Sequence, residues 1–452
     1  MALPKSEVAG IILAAGLSTR FGGEKLTTPL AGRPLAFWAI EAALTSRLGR
    51  VVLVTRPELA GELAATFPGL ELVLNHQAHQ GQASSLRLGL EALGPGHSHA
   101  LFLLADQPLL TSDLINSFVD KAESGIGLAA LAGSESFSPP TLFARGFWKD
   151  LGQAQGDSGG REILRAHAGE AAFLTPNFPL AGLDVDTPEQ LGRAEAVLCQ
   201  RFSRALELEH GDMVSLVGAG GKTSLLETLA SEQASAGQAV LATTTTHIFR
   251  PSGQVLLEPH EQWLPERIAR RLAPGWCLTV AAGATSGEDR PKLKGLTPQS
   301  VDWLWEEGVA PLILVEADGA RRLPLKAPRT HEPVTPLATT VLVGVLGLSA
   351  MGQPVDDEHV LAVPEFCALT GAAPGEAVTP AHLAALAAHP KGLFKKAPPR
   401  ARKALVLNQG ELPGAAEAAR QVAEMVSEQE PALRVLLTSL QRGECEVLLE
   451  GD

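Results

Sequence analysis

The stretch GIILAAGLSTRFGGEK, from Gly10 to Lys25, joins an aliphatic run to a glycine-rich turn that carries one arginine and one lysine. Glycine after a strand permits a sharp turn and lets backbone N–H groups approach phosphate oxygens closely. Arg20 and Lys25 add the positive charge that phosphate binding needs. The spacing is neither GxGxxG nor GxxxxGK[ST], so we expect a phosphate-binding loop of another type.

Aliphatic runs of strand length alternate with amphipathic segments along the whole chain. This alternation predicts an α/β fold with a mostly parallel sheet and ligands at the carboxyl ends of the strands. The Pro- and Gly-rich sequence after Gly133 predicts an inserted, substrate-facing region, followed by a closing strand and helix over 181–198. The pattern restarts at Met213, so we predict two different α/β domains, 1–204 and 205–452.

Composition limits the possible partners. The chain has 452 residues, of which 45% are hydrophobic and 19% charged, and this composition is typical of well-packed globular domains. A net charge of −13 without a basic block argues against nucleic acid or an anionic membrane surface as partner. Neither a signal peptide nor a long apolar run is evident, so a cytoplasmic location is expected. The four cysteines have no metal-ligand spacing and predict free, buried thiols.

Five motifs of the first half resemble, in order, those of the MobA-like nucleotidyltransferases. They are LAAGLSTRFGGEK (13–25), NHQAHQGQASSLRLGL (75–90), LLADQPLLT (103–111), GDSGGREIL (156–164) and LDVDTPEQL (183–191). The resemblance implies a Rossmann-like nucleotidyltransferase domain. It implies nucleotide binding by Leu13, Ala14, Ala15, Gly16, Arg20, Lys25, Asn75, Gly81, Ser84, Ser85 and Asp106, and substrate binding by Gly156, Asp157, Gly159 and Arg161.

Nucleotidyl transfer depends on alignment and on neutralising phosphate charge, and Mg²⁺ in such sites takes one or two protein carboxylates. We therefore expect Asp106 and Asp186 to bind Mg²⁺ and to form the catalytic set with Arg20 and Lys25. An aspartate at a strand end is also a common turn or N-cap residue, and Asp184 competes with Asp186 for the metal.

The resemblance also implies a base and an acceptor. Leu13-Ala14-Ala15-Gly16 matches the cytidylyl-transferring branch, whereas the guanylyl-transferring branch tends to carry LAGG. This implies CTP as substrate and molybdopterin as acceptor. Phe137-Ser138-Pro139-Pro140 stands where the family often has Gly-His-Pro, so a sugar- or alcohol-phosphate acceptor stays open.

A second glycine-rich loop occurs in MVSLVGAGGKTSLLETLA (213–230). It is shorter than GxxxxGK[ST] and resembles the Mur ligase loop in length, so we expect a shortened P-loop between a strand and a helix. Glu316 and Asp318 follow a later aliphatic run as metal-facing acids would. The glycine-rich loop could instead be a turn that binds no nucleotide, and the charges after the later aliphatic run could belong to a solvated loop. The predicted nucleotide-binding residues are Gly218, Gly220, Gly221, Lys222, Thr223, Ser224, Glu316 and Asp318.

The segments GAGGKTS, TTTTHIF, VEADGARRLPLKAPRTHEP and LNQ resemble the YqeC family. This implies an accessory role for a molybdenum or selenium-dependent hydroxylase. Asn408-Gln409-Gly410-Glu411 lacks the NKxD pattern that recognises guanine, so ATP is the expected nucleotide. The leading hypothesis is a molybdopterin cytidylyltransferase fused to this accessory domain. A hypothesis from a different functional class is a cofactor chaperone that is switched by nucleotide binding and has no transferase activity.

Overall fold

The structure, a computed structural model, divides the chain into two compact units. The first contains the described residues up to Pro176 together with Leu180–Ala194, and the second contains Asn177–Pro179 and the described residues from Glu195 onward. The division falls before the predicted boundary at 204/205, which stays a prediction. The residues that the structure describes are 6–18, 20–132, 137–154, 156, 160–251, 253–285 and 292–451.

The first unit is built around a sheet of seven strands in the order β5-β4-β1-β6-β8-β7-β9. The strands are β1 (Val8–Ala14), β2 (Pro29–Leu30), β3 (Arg33–Pro34), β4 (Arg50–Thr55), β5 (Glu71–Leu74), β6 (His99–Leu104), β7 (Leu128–Ala132), β8 (Phe137–Ala144) and β9 (Ala172–Leu174). The helices are α1 (Leu35–Leu44), α2 (Pro57–Thr66), α3 (Gln82–Leu93), α4 (Ser112–Glu123), α5 (Trp148–Gln153), α6 (Arg161–Ala166) and α7 (Pro188–Cys199), which spans the division.

Strands β5, β4, β1 and β6 are parallel and lie in the order 3-2-1-4, as in a Rossmann-type sheet. The predicted α/β class is therefore confirmed. Strand β1 is aliphatic and nearly fully buried, as expected for a parallel strand covered on both faces. The carboxyl ends of these four strands place the first loop, Asn75 and Asp106 at one edge of the sheet.

Two sequence predictions for this unit were wrong. An insertion was predicted after Gly133, but Phe137–Ala144 form strand β8 of the sheet, which pairs antiparallel with both β6 and β7. A register shift opposite Ala130 and Leu131 leaves Pro139 and Pro140 outside the ladder, so their missing N–H groups do not break the strand. The predicted closing strand does not form either, because residues 183–186 are irregular, although α7 forms as expected.

The second unit contains a nine-stranded sheet in the order β13-β14-β11-β17-β10-β19-β21-β22-β23, parallel except for β23. Its strands are β10 (Asp212–Gly218), β11 (Val240–Thr244), β12 (His247–Phe249), β13 (Gln254–Leu257), β14 (Cys277–Ala281), β15 (Gly283–Ala284), β16 (Lys292–Lys294), β17 (Leu312–Glu316), β18 (Leu325–Lys326), β19 (Val341–Gly347), β20 (Val360–Leu361), β21 (Arg402–Asn408), β22 (Arg434–Ser439) and β23 (Glu444–Leu449).

The helices of the second unit are α8 (Arg201–Ala205), α9 (Lys222–Ser235), α10 (Leu264–Ala269), α11 (Pro298–Glu306), α12 (Val363–Thr370), α13 (Pro380–Ala388) and α14 (Ala415–Gln429). Every residue of β10 and β17 is buried, so the loops after these two strands start from the centre of the sheet. The four cysteines are free, as predicted, but the prediction of buried thiols was wrong for three of them: Cys277 is buried in β14, whereas Cys199, Cys367 and Cys445 are partly exposed. Among the described residues, no helix has the length and apolar character needed to cross a membrane.

Candidate functional site

The first loop leaves β1 at Ala14 and turns by left-handed residues at Ser18 (φ 51°) and Gly22 (φ 80°). Gly16 is exposed and needs no positive φ, so it is not the residue that turns the chain, as the sequence had suggested. A Cβ at Gly16 would meet open space. Backbone at this point is therefore accessible to an incoming group, which agrees with a loop that approaches phosphate.

Lys25 joins the two aspartates that the sequence predicts as metal ligands. Its Nζ lies 2.6 Å from Asp106 Oδ2 and 2.9 Å from Asp186 Oδ1, and Lys25 is only 7% exposed. Burial alone would lower the pKa of Lys25, but the two carboxylates outweigh it and raise the pKa above its usual value. Arg20 is more loosely placed, 3.8 Å from Asp186 Oδ2 and largely exposed. The predicted catalytic set is therefore brought together at one point.

A third carboxylate belongs to this cluster. Burial and the charge of Asp106 raise the pKa of Asp184 to about 6. Within the described residues, Asp106 Oδ1 and Asp184 Oδ1 are buried without a hydrogen-bond partner. Oxygen donors of this kind suit Mg²⁺, which takes one or two carboxylates and keeps other positions for water or phosphate. The described residues contain no group of three or more His, Cys, Asp or Glu arranged as a ready-made metal site.

Asn75 ties the end of β5 to the start of α3. It is 1% exposed, and its Nδ2 donates to Ser84 Oγ (2.9 Å) and Ser85 Oγ (2.8 Å), while its Oδ1 accepts from Gln77 N (2.8 Å). Gly81 precedes α3 with φ 99°, a conformation that favours glycine. These predicted nucleotide-binding side chains are bonded to one another, so their structural role here is to hold the loop between β5 and α3.

The predicted substrate motif is only partly described. Gly156 has φ 61°, and its carbonyl accepts from Ala83 N of α3 at 3.0 Å. Arg161 is the exposed first residue of α6. Asp157 and Gly159 lie outside the described residues. The motif is therefore connected to the same helix that follows Gly81.

The second glycine-rich loop joins β10 to α9. Gly218, Gly220 and Gly221 all have positive φ, at 88°, 82° and 137°. A Cβ on any of them would overlap a neighbour: the Val345 carbonyl, the Gly347 backbone and the Asn408 side chain respectively. Glycine is thus required at all three positions by the conformation and by packing against the ends of β19 and β21.

A buried ion network lies beneath this loop. Lys222 is 3% exposed, and its Nζ donates to Gly218 O (2.5 Å) and lies 3.1 Å from Asp318 Oδ1. Asp318 also accepts from Gly218 N (3.1 Å) and lies 3.4 Å from Lys326 Nζ. Lys326 pairs in turn with Glu332 at 2.9 Å, and this pairing lowers the pKa of Glu332 although burial opposes it. The predicted pair of Lys222 and Asp318 therefore meets directly.

Thr223 and Glu316 form the adjacent contact of the same site. Thr223 Oγ1 donates to Glu316 Oε2 at 2.9 Å, and burial raises the pKa of Glu316. Ser224, predicted with them, is exposed on α9. Lys326 also belongs to the network, although in the sequence it stands among the charges of a loop that could be solvated. The only available signal was its apolar setting in LPLKAP.

In each unit a glycine-rich loop follows the first strand, and a buried lysine meets carboxylates beside that loop. On a Rossmann-type sheet this arrangement is typical of a nucleotide-binding α/β domain. The MobA-like NTP transferase domain model matches residues 10–171, and the YqeC protein model matches residues 214–364. The chain belongs to the MobA-like NTP transferase family in its first half and to the YqeC family in its second.

Each of three curated relatives matches less than half of this chain. The uncharacterized protein YqeC of Escherichia coli (strain K12) is 37% identical over 199 residues, which cover 44% of this chain and 75% of that protein. The purine catabolism protein PucB of Bacillus subtilis (strain 168) is 32% identical over 191 residues, 40% of this chain and 92% of that protein. The molybdenum cofactor guanylyltransferase of Rhodobacter capsulatus is 29% identical over 200 residues, which cover 43% of this chain and 97% of that protein.

Proposed function

We propose that the first unit transfers CMP from CTP to molybdopterin. An oxygen of the molybdopterin phosphate forms a bond to the α-phosphorus of CTP, and the bond from that phosphorus to the pyrophosphate oxygen breaks. The products are molybdopterin cytosine dinucleotide and pyrophosphate. The observation that carries the proposal is the buried Lys25, which holds Asp106 and Asp186 together beside an open phosphate-binding loop.

The residues have separate tasks in this reaction. Lys25 and Arg20 would neutralise phosphate charge, and the accessible backbone at Gly16 would bind phosphate oxygens. Asp106 and Asp186 would hold Mg²⁺, which supplies positive charge to the triphosphate when bound. The hydrogen-bonded Asn75, Ser84 and Ser85 would keep the loop before α3 in place for the nucleoside.

The choice of base rests on Ala15, the third residue of the Leu13-Ala14-Ala15-Gly16 sequence. Ala15 is 4% exposed and lies directly after β1, at the start of the loop that would hold the nucleotide. A methyl group here takes space that glycine would leave free, and cytosine needs less space than guanine. The relative that is named as a molybdenum cofactor guanylyltransferase favours a molybdenum-related acceptor for this chain as well.

For the second unit we propose a nucleotide-binding accessory domain that serves a molybdenum or selenium-dependent hydroxylase. The GAGGKTS loop would act as a shortened P-loop with ATP. Lys222 would exchange its contact with Asp318 for the β- and γ-phosphates, and Thr223 would leave Glu316 to face Mg²⁺. Asp318 would keep a cationic partner in Lys326 when Lys222 moves.

The experiment that tests the transferase is pyrophosphate release by the full chain with CTP, Mg²⁺ and molybdopterin. Asp106→Asn removes the charge of a proposed ligand without changing its size and should reduce the rate by at least about a hundredfold. Asp113→Asn is the matched control, because Asp113 is exposed in the first turn of α4. Equal rates for the two variants would contradict the assignment of Asp106.

A further inference from the structure

The ammonium group of Lys25 is bonded to both acids that are proposed as Mg²⁺ ligands. Its Nζ lies 2.6 Å from Asp106 Oδ2 and 2.9 Å from Asp186 Oδ1, and the residue is 7% exposed. In the part of the chain that the structure describes, Lys25 forms no ion pair within 4.0 Å with any other acid. The cation that these two carboxylates share is therefore one of the chain's own side chains. We call Lys25, Asp106 and Asp186 the first site.

The contact of Lys25 with the two carboxylates is costly to lose. A buried ammonium without anionic partners is poorly solvated, and this is unfavourable. Glu24, the preceding residue of the loop, does not offer a replacement, because its carboxylate is paired with Arg56. Asp184 is the remaining acid of the cluster and would offer one carboxylate in place of two. Lys25 therefore leaves its position easily only when another anion takes over both contacts.

A divalent cation at Asp106 and Asp186 would compete with Lys25 for the same carboxylates. Two positive groups that share one pair of carboxylates repel each other, and this repulsion is weakly screened where water is scarce. A free divalent ion brings no anion to which Lys25 could turn. Binding of the free ion would therefore leave a buried ammonium without compensation, and we expect that binding to be weak.

A nucleoside triphosphate removes this conflict. Its phosphate oxygens offer new partners to Lys25, and the backbone at Gly16 is open to them. Arg20 is available as well, because it is largely exposed and only 3.8 Å from Asp186 Oδ2. The same phosphates supply the oxygen ligands that Mg²⁺ prefers. Nucleotide and divalent cation should therefore strengthen each other's binding.

We propose that Lys25 closes the first site to free divalent cations, so that the metal enters only together with a nucleoside triphosphate. The substrate of the first unit is then the metal–nucleotide complex, and no metal-loaded form of the site precedes it. The inference rests on the proposed function, because Asp106 and Asp186 are its proposed metal ligands. It adds the order in which the ligands of that function bind.

The test is binding of Mn²⁺, which carboxylates bind as they bind Mg²⁺, to the full chain. Electron paramagnetic resonance measures it with and without the α,β-methylene analogue of CTP, which cannot transfer CMP, and the analogue alone is measured in parallel. Asp106→Asn is made in each variant, and the Mn²⁺ that it removes is counted as bound to the first site. In the wild-type chain the analogue should tighten Mn²⁺ binding by at least about tenfold.

Replacement of Lys25 should open the site to the free ion. Without nucleotide, Lys25→Met should bind Mn²⁺ about tenfold more tightly than the wild-type chain does. Lys25→Arg keeps the positive charge and should bind free Mn²⁺ as weakly as the wild-type chain. Lys121→Met, at an exposed position of α4, is the matched control for loss of a lysine.

Two results would overturn the inference. One is a wild-type first site that binds Mn²⁺ as tightly without the analogue as with it, a comparison that does not depend on a variant. The other is free Mn²⁺ binding by Lys25→Met that is no tighter than by Lys121→Met. If CTP and Mg²⁺ yield the dinucleotide but either result is found, only this inference fails. If Lys25→Met gains affinity for free Mn²⁺ but the wild-type chain forms no dinucleotide, the proposed transfer fails instead.

Discussion

The Nζ of Lys25 lies 2.6 Å from Oδ2 of Asp106, a residue 81 positions later in the chain. The contact links the first loop to the end of β6 and places a buried cation among three aspartates, Asp106, Asp184 and Asp186. Without that cation the carboxylates would repel one another in a poorly solvated place. Lys25 therefore stabilises the site in addition to offering charge to phosphate.

Replacing Lys25 by methionine separates these two roles. Lys25→Met removes the cation but keeps much of the apolar side chain, so the free energy of unfolding should fall by about 2 kcal/mol, less than for a fully buried pair because Asp186 is partly exposed. Millimolar Mg²⁺ should restore part of the loss, because it replaces the missing charge. Urea denaturation with and without Mg²⁺ measures both effects.

The control for this experiment is Lys121→Met, at an exposed position of α4, which should change stability by less than about 0.5 kcal/mol. If Lys25→Met is as stable as this control, or if Mg²⁺ has no effect on it, Asp106 and Asp186 do not form the proposed site.

The ion network of the second unit makes Asp318 indispensable for stability. Asp318→Asn leaves two buried lysines, Lys222 and Lys326, without the carboxylate that they share. Loss of one partner from a buried network typically costs about 3–5 kcal/mol. The matched comparison is Glu306→Gln on the exposed face of α11. A midpoint of urea unfolding for Asp318→Asn equal to that of Glu306→Gln would contradict the network.

Stability should depend on pH through Glu232, a buried residue of α9. Burial raises its pKa to about 7, although Ser203 and the backbone N–H groups of Phe202 and Ser203 donate to it. A carboxyl whose pKa is higher in the folded state binds its proton more tightly there. Its contribution to stability therefore falls as the pH rises from about 4.5 to about 7 and is constant above that range.

The measurement is the free energy of unfolding of the full chain between pH 4.5 and 8. Glu232→Gln should remove the part of the pH dependence that Glu232 causes, whereas Glu424→Gln, at an exposed position of α14, should keep the wild-type slope. Identical slopes for the two variants would show that Glu232 keeps its ordinary pKa.

Base selection should respond to the methyl group of Ala15. Ala15→Gly creates space directly after β1, so the ratio of kcat/KM for CTP to that for GTP should fall by about tenfold. Ala9→Gly, near the start of β1 and away from the loop, is the control and should leave the ratio unchanged while lowering stability by up to about 1 kcal/mol. A ratio that is the same in both variants would remove Ala15 as the basis of selection.

The sequence was sufficient for the fold class, because aliphatic runs alternate with amphipathic segments and the periodicity depends only on local pattern. It was not sufficient for β8, where Pro139 and Pro140 look like a loop; only the register shift in the partner strand shows how the ladder accommodates them. The predicted closing strand failed for the opposite reason, since residues 183–186 alternate apolar and polar side chains as a strand does but have no place in the sheet.

In the candidate sites too, some features could be predicted from the sequence and others could not. Glycine, lysine and aspartate at strand ends are visible in the sequence, so Lys25, Asp106 and Lys222 could be chosen in advance. Which charges meet depends on contacts between residues far apart in the chain, such as Lys326 with Asp318 and Glu332.

The reaction proposed for the first unit is the transfer of CMP from CTP to molybdopterin. It is tested most directly by mass spectrometric detection of the product when the full chain receives Mg²⁺, molybdopterin and an equal mixture of CTP and GTP. We expect molybdopterin cytosine dinucleotide in an amount equal to the pyrophosphate released, and its formation at least about a hundredfold slower with Asp106→Asn. A guanine dinucleotide as the main product, or no dinucleotide at all, would contradict it.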